Sequence, residues 1–184
     1  MLSTPILLDY QSSTPCSKDV VDSMKPFWSE IFSNPSSKSN LAGINASAIL
    51  EASREKIEQN LFLKNKKVIF TSGATESNNL ALLGFARNYY KKTGNYGHII
   101  TLKTEHKAVL EPLHQLKKEG FMVTEITPER DGIISEEQFR KNIREDTFMV
   151  SVMMANNEIG VIQPIENISK ICKLRGITFH SDFA

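Results

Sequence analysis

Residues 68–79 read Val-Ile-Phe-Thr-Ser-Gly-Ala-Thr-Glu-Ser-Asn-Asn, and the fold turns on how this stretch is read. Val68 to Phe70 is an apolar run of strand type that enters a small, hydroxyl-rich turn. A helical pattern opens at Thr75. The N–H groups at a helix start lack partners and carry partial positive charge, so such a turn seats a phosphate well. Gly73 lets the main chain come close to a ligand, and Thr75 adds a hydroxyl donor. A capped helix that binds nothing has the same local pattern, because Ser and Thr are ordinary caps. The rest of the chain has to decide between the two.

Outward from this turn the chain alternates. Strand-like runs fall at 68–71, 98–102, 121–126, 148–154 and 177–180, with helix-like runs near 75–92, 106–119, 135–144 and 165–174. Ser135 to Gln138 has the form of a capping box and marks the third helix start. Gly120 and Gly176 stand where helices should stop, each just before an apolar run. Five strands with four intervening helices predict an α/β fold, a mostly parallel sheet with helices on both faces.

Residues 1–67 behave differently. Ile6 to Asp9 is a short extended piece. Val20, Val21, Met24, Phe27, Trp28 and Ile31 recur at helical spacing, although Pro26 disturbs that helix or resets its start. Ser33 to Ser39 is a loop signal, and Ala46, Ile49, Leu50, Ser53, Ile57 and Leu61 fall on one helical face. Residues 1–67 therefore read as an N-terminal extension packed on a main domain formed by residues 68–184. The chain stops at Ala184 directly after a strand pattern, where a parallel strand would feed a covering helix. The expectation is the front part of something longer or a truncated product; a naturally short domain is the alternative. An uncovered last strand would favour aggregation.

Composition narrows the partners. A net charge of +1 offers no basic excess for a phosphate backbone, which argues against direct nucleic-acid binding. The cluster Lys64, Lys66, Lys67 reads as a solvated loop. No run of eighteen apolar residues suggests a membrane span, and Met1 to Asp9 does not resemble a secretory signal. The two cysteines, Cys16 and Cys172, have neither metal-ligand spacing nor the look of a disulfide framework. A reducing, cytoplasmic setting is the simplest expectation.

Ligands of an open parallel sheet bind beyond the carboxyl ends of its strands. Four of the five expected strands end there in useful residues: Ser72-Gly73-Ala74-Thr75, Thr104-Glu105-His106, Asn156-Asn157-Glu158 and His180-Ser181-Asp182. Singly, each has a dull explanation as a cap, a turn former or a helix entry. Together they suit a phosphate on the first turn, a flat ring against His106, a ring oxygen at Asn157 and a ring nitrogen kept protonated by Asp182. That is the pattern for pyridoxal 5'-phosphate. A nucleotide is the competing ligand, but neither phosphate-loop fingerprint is present.

These residues also resemble a known family. Leu8-Asp9-Tyr10 with Thr14-Pro15, Asn34 to Ser37, Phe70 to Asn79, Thr104 to Val109, Asn156 to Gly160 and His180 to Asp182 are similar, in the same order, to the cysteine desulfurases, the NifS/IscS-like group of class V aminotransferases. The likeness covers the front part of that family's large domain. It implies the fold type I architecture of pyridoxal-phosphate enzymes and a homodimer. It implies that Ala74 and Thr75 contact the cofactor phosphate, that His106 stacks on the ring and transfers protons, that Asn157 meets the ring hydroxyl and that Asp182 pairs with the ring nitrogen. The implied activity converts L-cysteine to L-alanine and leaves persulfide sulfur for acceptor or scaffold proteins of iron–sulfur cluster assembly or tRNA thiolation.

The departures are specific. No residue here matches the family's Schiff-base lysine or its persulfide cysteine, and neither Cys16 nor Cys172 stands in the latter's place. The glutamine that follows the Asp182 motif is missing. Phe183 stands where the family has a small residue, Ser33 where it usually has Gly, and Asn40 where it usually has His. Three functions remain compatible with the sequence: a cysteine desulfurase represented by its N-terminal part, a catalytically inactive truncated paralogue that binds or dimerises with a partner, and a related class V enzyme such as a selenocysteine lyase.

Overall fold

The computed structural model of the protein describes residues 6–63 and 66–184. Lys64 of the basic cluster and the first five residues of the N-terminal stretch lie outside them. The chain divides into two compact units that meet at the Phe70–Thr71 bond.

The first unit is helical. α1 (Lys18–Met24) and α2 (Pro26–Ser29) are separated by Lys25, and α3 runs over Leu41–Asn60. Pro26 resets the helix: it takes the first position of α2, where a missing N–H costs nothing. Asn40 caps α3 by accepting from Gly43 N at 2.8 Å. A side chain at Gly43 would run into the Ser37 carbonyl, so the loop that precedes α3 needs glycine there. Met24, Phe27, Trp28, Ile31, Ile49 and Leu50 line a groove of about 450 Å³.

The strand expected at 68–71 does not form. Residues 66–70 form neither helix nor strand and pair with no strand among the described residues. The Arg54 guanidinium donates to the Val68 carbonyl and lies 5.0 Å from the centre of the Phe70 ring. Val68 N donates to Glu58 Oε1 at 3.3 Å. Side chains of α3 thus take the main-chain groups that a neighbouring strand would use, and backbone polar groups need partners from somewhere.

The second unit is a three-layer α/β structure. Its elements are α4 (Ala74–Thr93), β1 (His98–Leu102), α5 (Lys107–Glu119), β2 (Met122–Ile126), α6 (Glu136–Asn142), β3 (Thr147–Ser151), α7 (Ile165–Leu174) and β4 (Thr178–His180). Four of the five expected strands are present and all pair in parallel, in the order β2-β1-β3-β4. β3 leaves the ladder at Ser151, earlier than the apolar run to Met154 suggests.

Side-chain alternation divides the sheet between two cores. Ile99 and Met149 face Leu82, Ala86, Val109, Leu113 and Leu116 of α4 and α5. Ile100, Leu102 and Val150 face Phe139 of α6 and Ile168, Ile171 and Cys172 of α7. The helix after β1 lies on one face, and those after β2 and β3 lie on the other. Right-handed crossovers require this when the chain reverses its direction across a sheet.

The amino ends of the strands are sealed by rings. Tyr89 and Phe148 stack with centroids 3.9 Å apart, and Tyr96 meets Phe121 edge-on at 5.2 Å. Gly97 lies beneath this cluster at φ +66°, where a Cβ would stand 2.8 Å from Phe148 Cδ1. Next to it, the fully buried His98 spans three strands. Its Nδ1 meets Thr147 Oγ1 and its Nε2 meets Thr124 Oγ1, both at 2.8 Å. Burial, with Arg144 adding to it and Asp146 opposing, holds the imidazole below its ordinary value of 6.5.

Two outcomes follow for stability. Gly97→Ala should cost about 1–3 kcal/mol in urea unfolding, from left-handed strain plus ring displacement; an unchanged midpoint would exclude tight packing there. A histidine kept neutral by the fold stabilises it above the unfolded-state value and loses that contribution as pH falls through the folded one. The stability difference between wild type and His98→Gln should therefore shrink as pH falls through and below the ordinary value of 6.5. A difference independent of pH would show that His98 does not titrate on unfolding.

Candidate functional site

The sheet order places a crevice before any side chain is considered. β1 connects to β2 on one side, whereas β3 connects to β4 on the other, so the carboxyl ends of the adjacent strands β1 and β3 flank the topological switch point. The turns that leave these two strands carry His106 and Asn157.

The start of α4 leaves its first main-chain donors open. Gly73, at φ 156° and ψ −178°, is its N-cap, and no side chain caps this end. That conformation belongs almost wholly to glycine, and a Cβ there would meet nothing within 4 Å. The N–H groups of Ala74, Thr75 and Glu76 find no acceptor among the described residues. Glu76 turns back instead, accepting from Ser72 N at 2.7 Å and Ser72 Oγ at 2.6 Å, and these bonds hold its carboxyl below the usual value. Thr71 Oγ1 and Ser77 Oγ, 2.7 Å apart, close the other side of the turn.

Asp182 follows β4 and is buried. Its Oδ2 accepts from Asn78 Nδ2 at 2.9 Å and its Oδ1 from Ala184 N at 3.0 Å. Asn78 lies in the second turn of α4, so this bond joins the start of that helix to the segment after the last strand.

His106 is the N-cap of α5. Its Nδ1 accepts from Ala108 N at 3.1 Å, which leaves the proton of the neutral ring on Nε2. The ring is exposed. Two successive amides after β3 then set the neighbouring turns: Met153 N donates to both oxygens of Glu105, at 2.9 and 3.1 Å, and Met154 N donates to the Asp182 carbonyl at 3.3 Å. The turn of the imidazole and the turn of the carboxylate are thereby held to adjacent residues of one strand exit.

The two asparagines of the β3 exit differ sharply. Asn156 is buried; its Nδ2 donates to the Thr104 carbonyl at 2.7 Å and its Oδ1 accepts from Glu158 N and Ile159 N at 2.9 Å each. Asn157 is exposed, and its amide has no partner among the described residues. Asn156 shapes the turn, and Asn157 has an amide free for a ligand.

Ala74, Thr75, His106, Asn157 and Asp182 thus all stand at the carboxyl rim of the sheet. A cavity of about 400 Å³ opens at Thr75 and His106 and runs between α4 and α5 past Asn79, Leu83 and Glu111; Asn157 and Asp182 do not line it. Two buried hydroxyls of the rim, Thr104 Oγ1 and Ser181 Oγ, are unpaired among the described residues. The donor set fits a phosphorylated pyridine: open N–H groups for the phosphate, a carboxylate for a ring nitrogen, an amide and an imidazole for the ring. Phe183 is largely exposed.

Sequence reasoning missed Asn78, Glu105 and Asn156, which are buried polar residues within the motifs it used. The available signal was their position: Glu105 and Asn156 immediately precede residues assigned to the ligand, and Asn78 follows Thr75 by three positions. Cys172 is wholly buried and its thiol is pushed up to about 11, while Cys16 is exposed in the first unit.

Comparison with known proteins identifies the family. Residues 6–184 match the Aminotransferase class-V family. Cysteine desulfurase IscS of Ehrlichia chaffeensis is 49% identical over 183 residues, covering 100% of this chain and 44% of that protein. IscS of Neisseria meningitidis is 46% identical, with 100% and 45% covered. Among solved structures, SspA in complex with cysteine superposes with a TM-score of 0.87 at 40% identity, covering 95% of this chain and 49% of that one. A NifS-like protein gives 0.87 at 36% identity, covering 95% and 47%. The chain spans about half the length of these relatives. With a parallel sheet covered on both faces, a rim of this composition and a family match over nearly its whole length, the chain belongs to the class-V aminotransferases and has the front part of a fold type I large domain.

Proposed function

We propose that this chain is the cofactor-binding part of a pyridoxal-phosphate-dependent cysteine desulfurase. The observation that carries the reading is the buried bond from Asn78 to Asp182, which joins an uncapped helix start to a carboxylate on the same rim as His106 and Asn157.

Pyridoxal phosphate, when bound, supplies an electron sink for cleavage next to the α-carbon of an amino acid. The chain's own residues bind and orient it. The first N–H groups of α4 and the Thr75 hydroxyl bind the phosphate. Asp182 favours a proton on the ring nitrogen, because a close carboxylate stabilises the cation. Asn157 donates to the ring hydroxyl oxygen. His106 covers the ring, and since its Nδ1 is engaged by Ala108, Nε2 is the atom that gives or takes a proton. The substrate is L-cysteine, whose sulfur leaves as a persulfide for an acceptor protein; a homodimer in the cytoplasm is the expected setting. The lysine and thiol of that chemistry match no residue among these 184.

Pyridoxal phosphate should therefore bind this chain saturably in equilibrium dialysis and leave on exhaustive dialysis. A chromophore that survives would show that some lysine here holds it covalently. Asp182→Asn should weaken binding about tenfold by removing one charge-assisted contact while leaving the fold intact. Thr75→Val should weaken it about threefold. Full affinity in both variants would sink the assignment of this rim. In the protein that contains these residues, L-cysteine should yield alanine and protein-bound persulfide in equal amounts; sulfur release without alanine would point to another reaction.

A further inference from the structure

The β1–β3 ladder ends at Thr101 and Ser151, yet the two chains stay together beyond it through side chains that cross between them. Glu105 reaches from the β1 exit to Met153 N, and Asn156 reaches from the β3 exit to the Thr104 carbonyl. Both side chains are more than nine-tenths buried. Each turn is therefore fastened by a side chain of the other, one residue from a group assigned to the cofactor: Glu105 precedes His106, and Asn156 precedes Asn157.

We infer that Glu105 is a positioning residue, whose buried carboxyl, reciprocated by Asn156, sets where the His106 imidazole and the Asn157 amide stand on the rim. The inference rests on the cofactor reading above for its functional meaning, but its geometry is independent of any ligand. A carboxyl is a costly group to bury for packing alone. Here both oxygens face one N–H, and the charged group facing it from another element is Asp182; Lys103 and His106, its neighbours on the turn, are exposed. Burial pushes the Glu105 carboxyl up to about 8, with the Met153 N–H opposing and Asp182 adding to the rise. Near neutral pH the group thus keeps its proton. One oxygen still accepts from Met153. Above that range Glu105 ionises and a charge appears in a buried site, straining the turn that presents His106.

The test uses the full chain, isotopically labelled, as wild type, Glu105→Gln and Glu105→Ala. In wild type the backbone amides of Met153 and His106 should both report the Glu105 titration, with a midpoint near 8. In Glu105→Gln, which keeps an oxygen acceptor, Met153 should stay protected from hydrogen exchange and both resonances should lose that titration. In Glu105→Ala, Met153 should exchange at least about tenfold faster and pyridoxal phosphate should bind about tenfold more weakly. Should the alanine variant not fold, the glutamine variant and the wild-type titration carry the test. A His106 signal indifferent to the Glu105 titration, or an alanine variant with unchanged His106 signals and cofactor affinity, would reduce Glu105 to a structural group and overturn the inference. Coupled titration in a wild type that does not bind pyridoxal phosphate would uphold the clamp and refute the cofactor reading instead.

Discussion

A single hydrogen bond, from the amide of Asn78 to the carboxylate of Asp182, joins residues 104 positions apart and determines what the rim of this sheet can do. Both side chains are buried. A buried charge-assisted bond of this kind is worth about 1.5–3 kcal/mol, and more is lost if one partner is removed and the carboxylate stays buried. The bond also sets distance: it draws the open N–H groups of α4 toward the exit of β4. Without it the open start of α4 and the carboxylate would be two unrelated features of an ordinary α/β domain.

The remaining rim groups are placed by the same economy of contacts. Met153 and Met154 spend consecutive N–H groups on Glu105 and on the Asp182 main chain, so β3 acts as the ruler between the imidazole turn and the carboxylate turn. The strand order puts β1 and β3 at the switch point, where the crossovers diverge. Below, the rings around Phe148 and the His98 bridge close the opposite end of the sheet. One end is sealed by apolar packing, and the other is left polar and open.

Much of this was legible in the chain itself. The 75–92, 106–119 and 165–174 helices and four of the strands follow from period and punctuation, with Ser135 capping α6 and Gly120 ending α5 as expected. The rim motifs were legible because each polar cluster directly follows an apolar strand run. The 68–71 strand was misread because its composition is strand-like, while its pairing depends on a neighbour that composition cannot supply; α3 takes its polar groups instead. Asn78, Glu105 and Asn156 were passed over for a related reason. Burial of a polar side chain is decided by partners 48 to 104 positions away, and adjacent asparagines look alike until geometry buries one and exposes the other.

The central claim is that these separated residues act on one ligand. Amide and imidazole chemical-shift mapping during titration with pyridoxal phosphate tests it most directly. The account predicts that Ala74, Thr75, His106, Asn157 and Asp182 shift together with a single dissociation constant. Shifts confined to the first turn of α4, with His106 and Asp182 unmoved, would reveal a plain phosphate seat and contradict it.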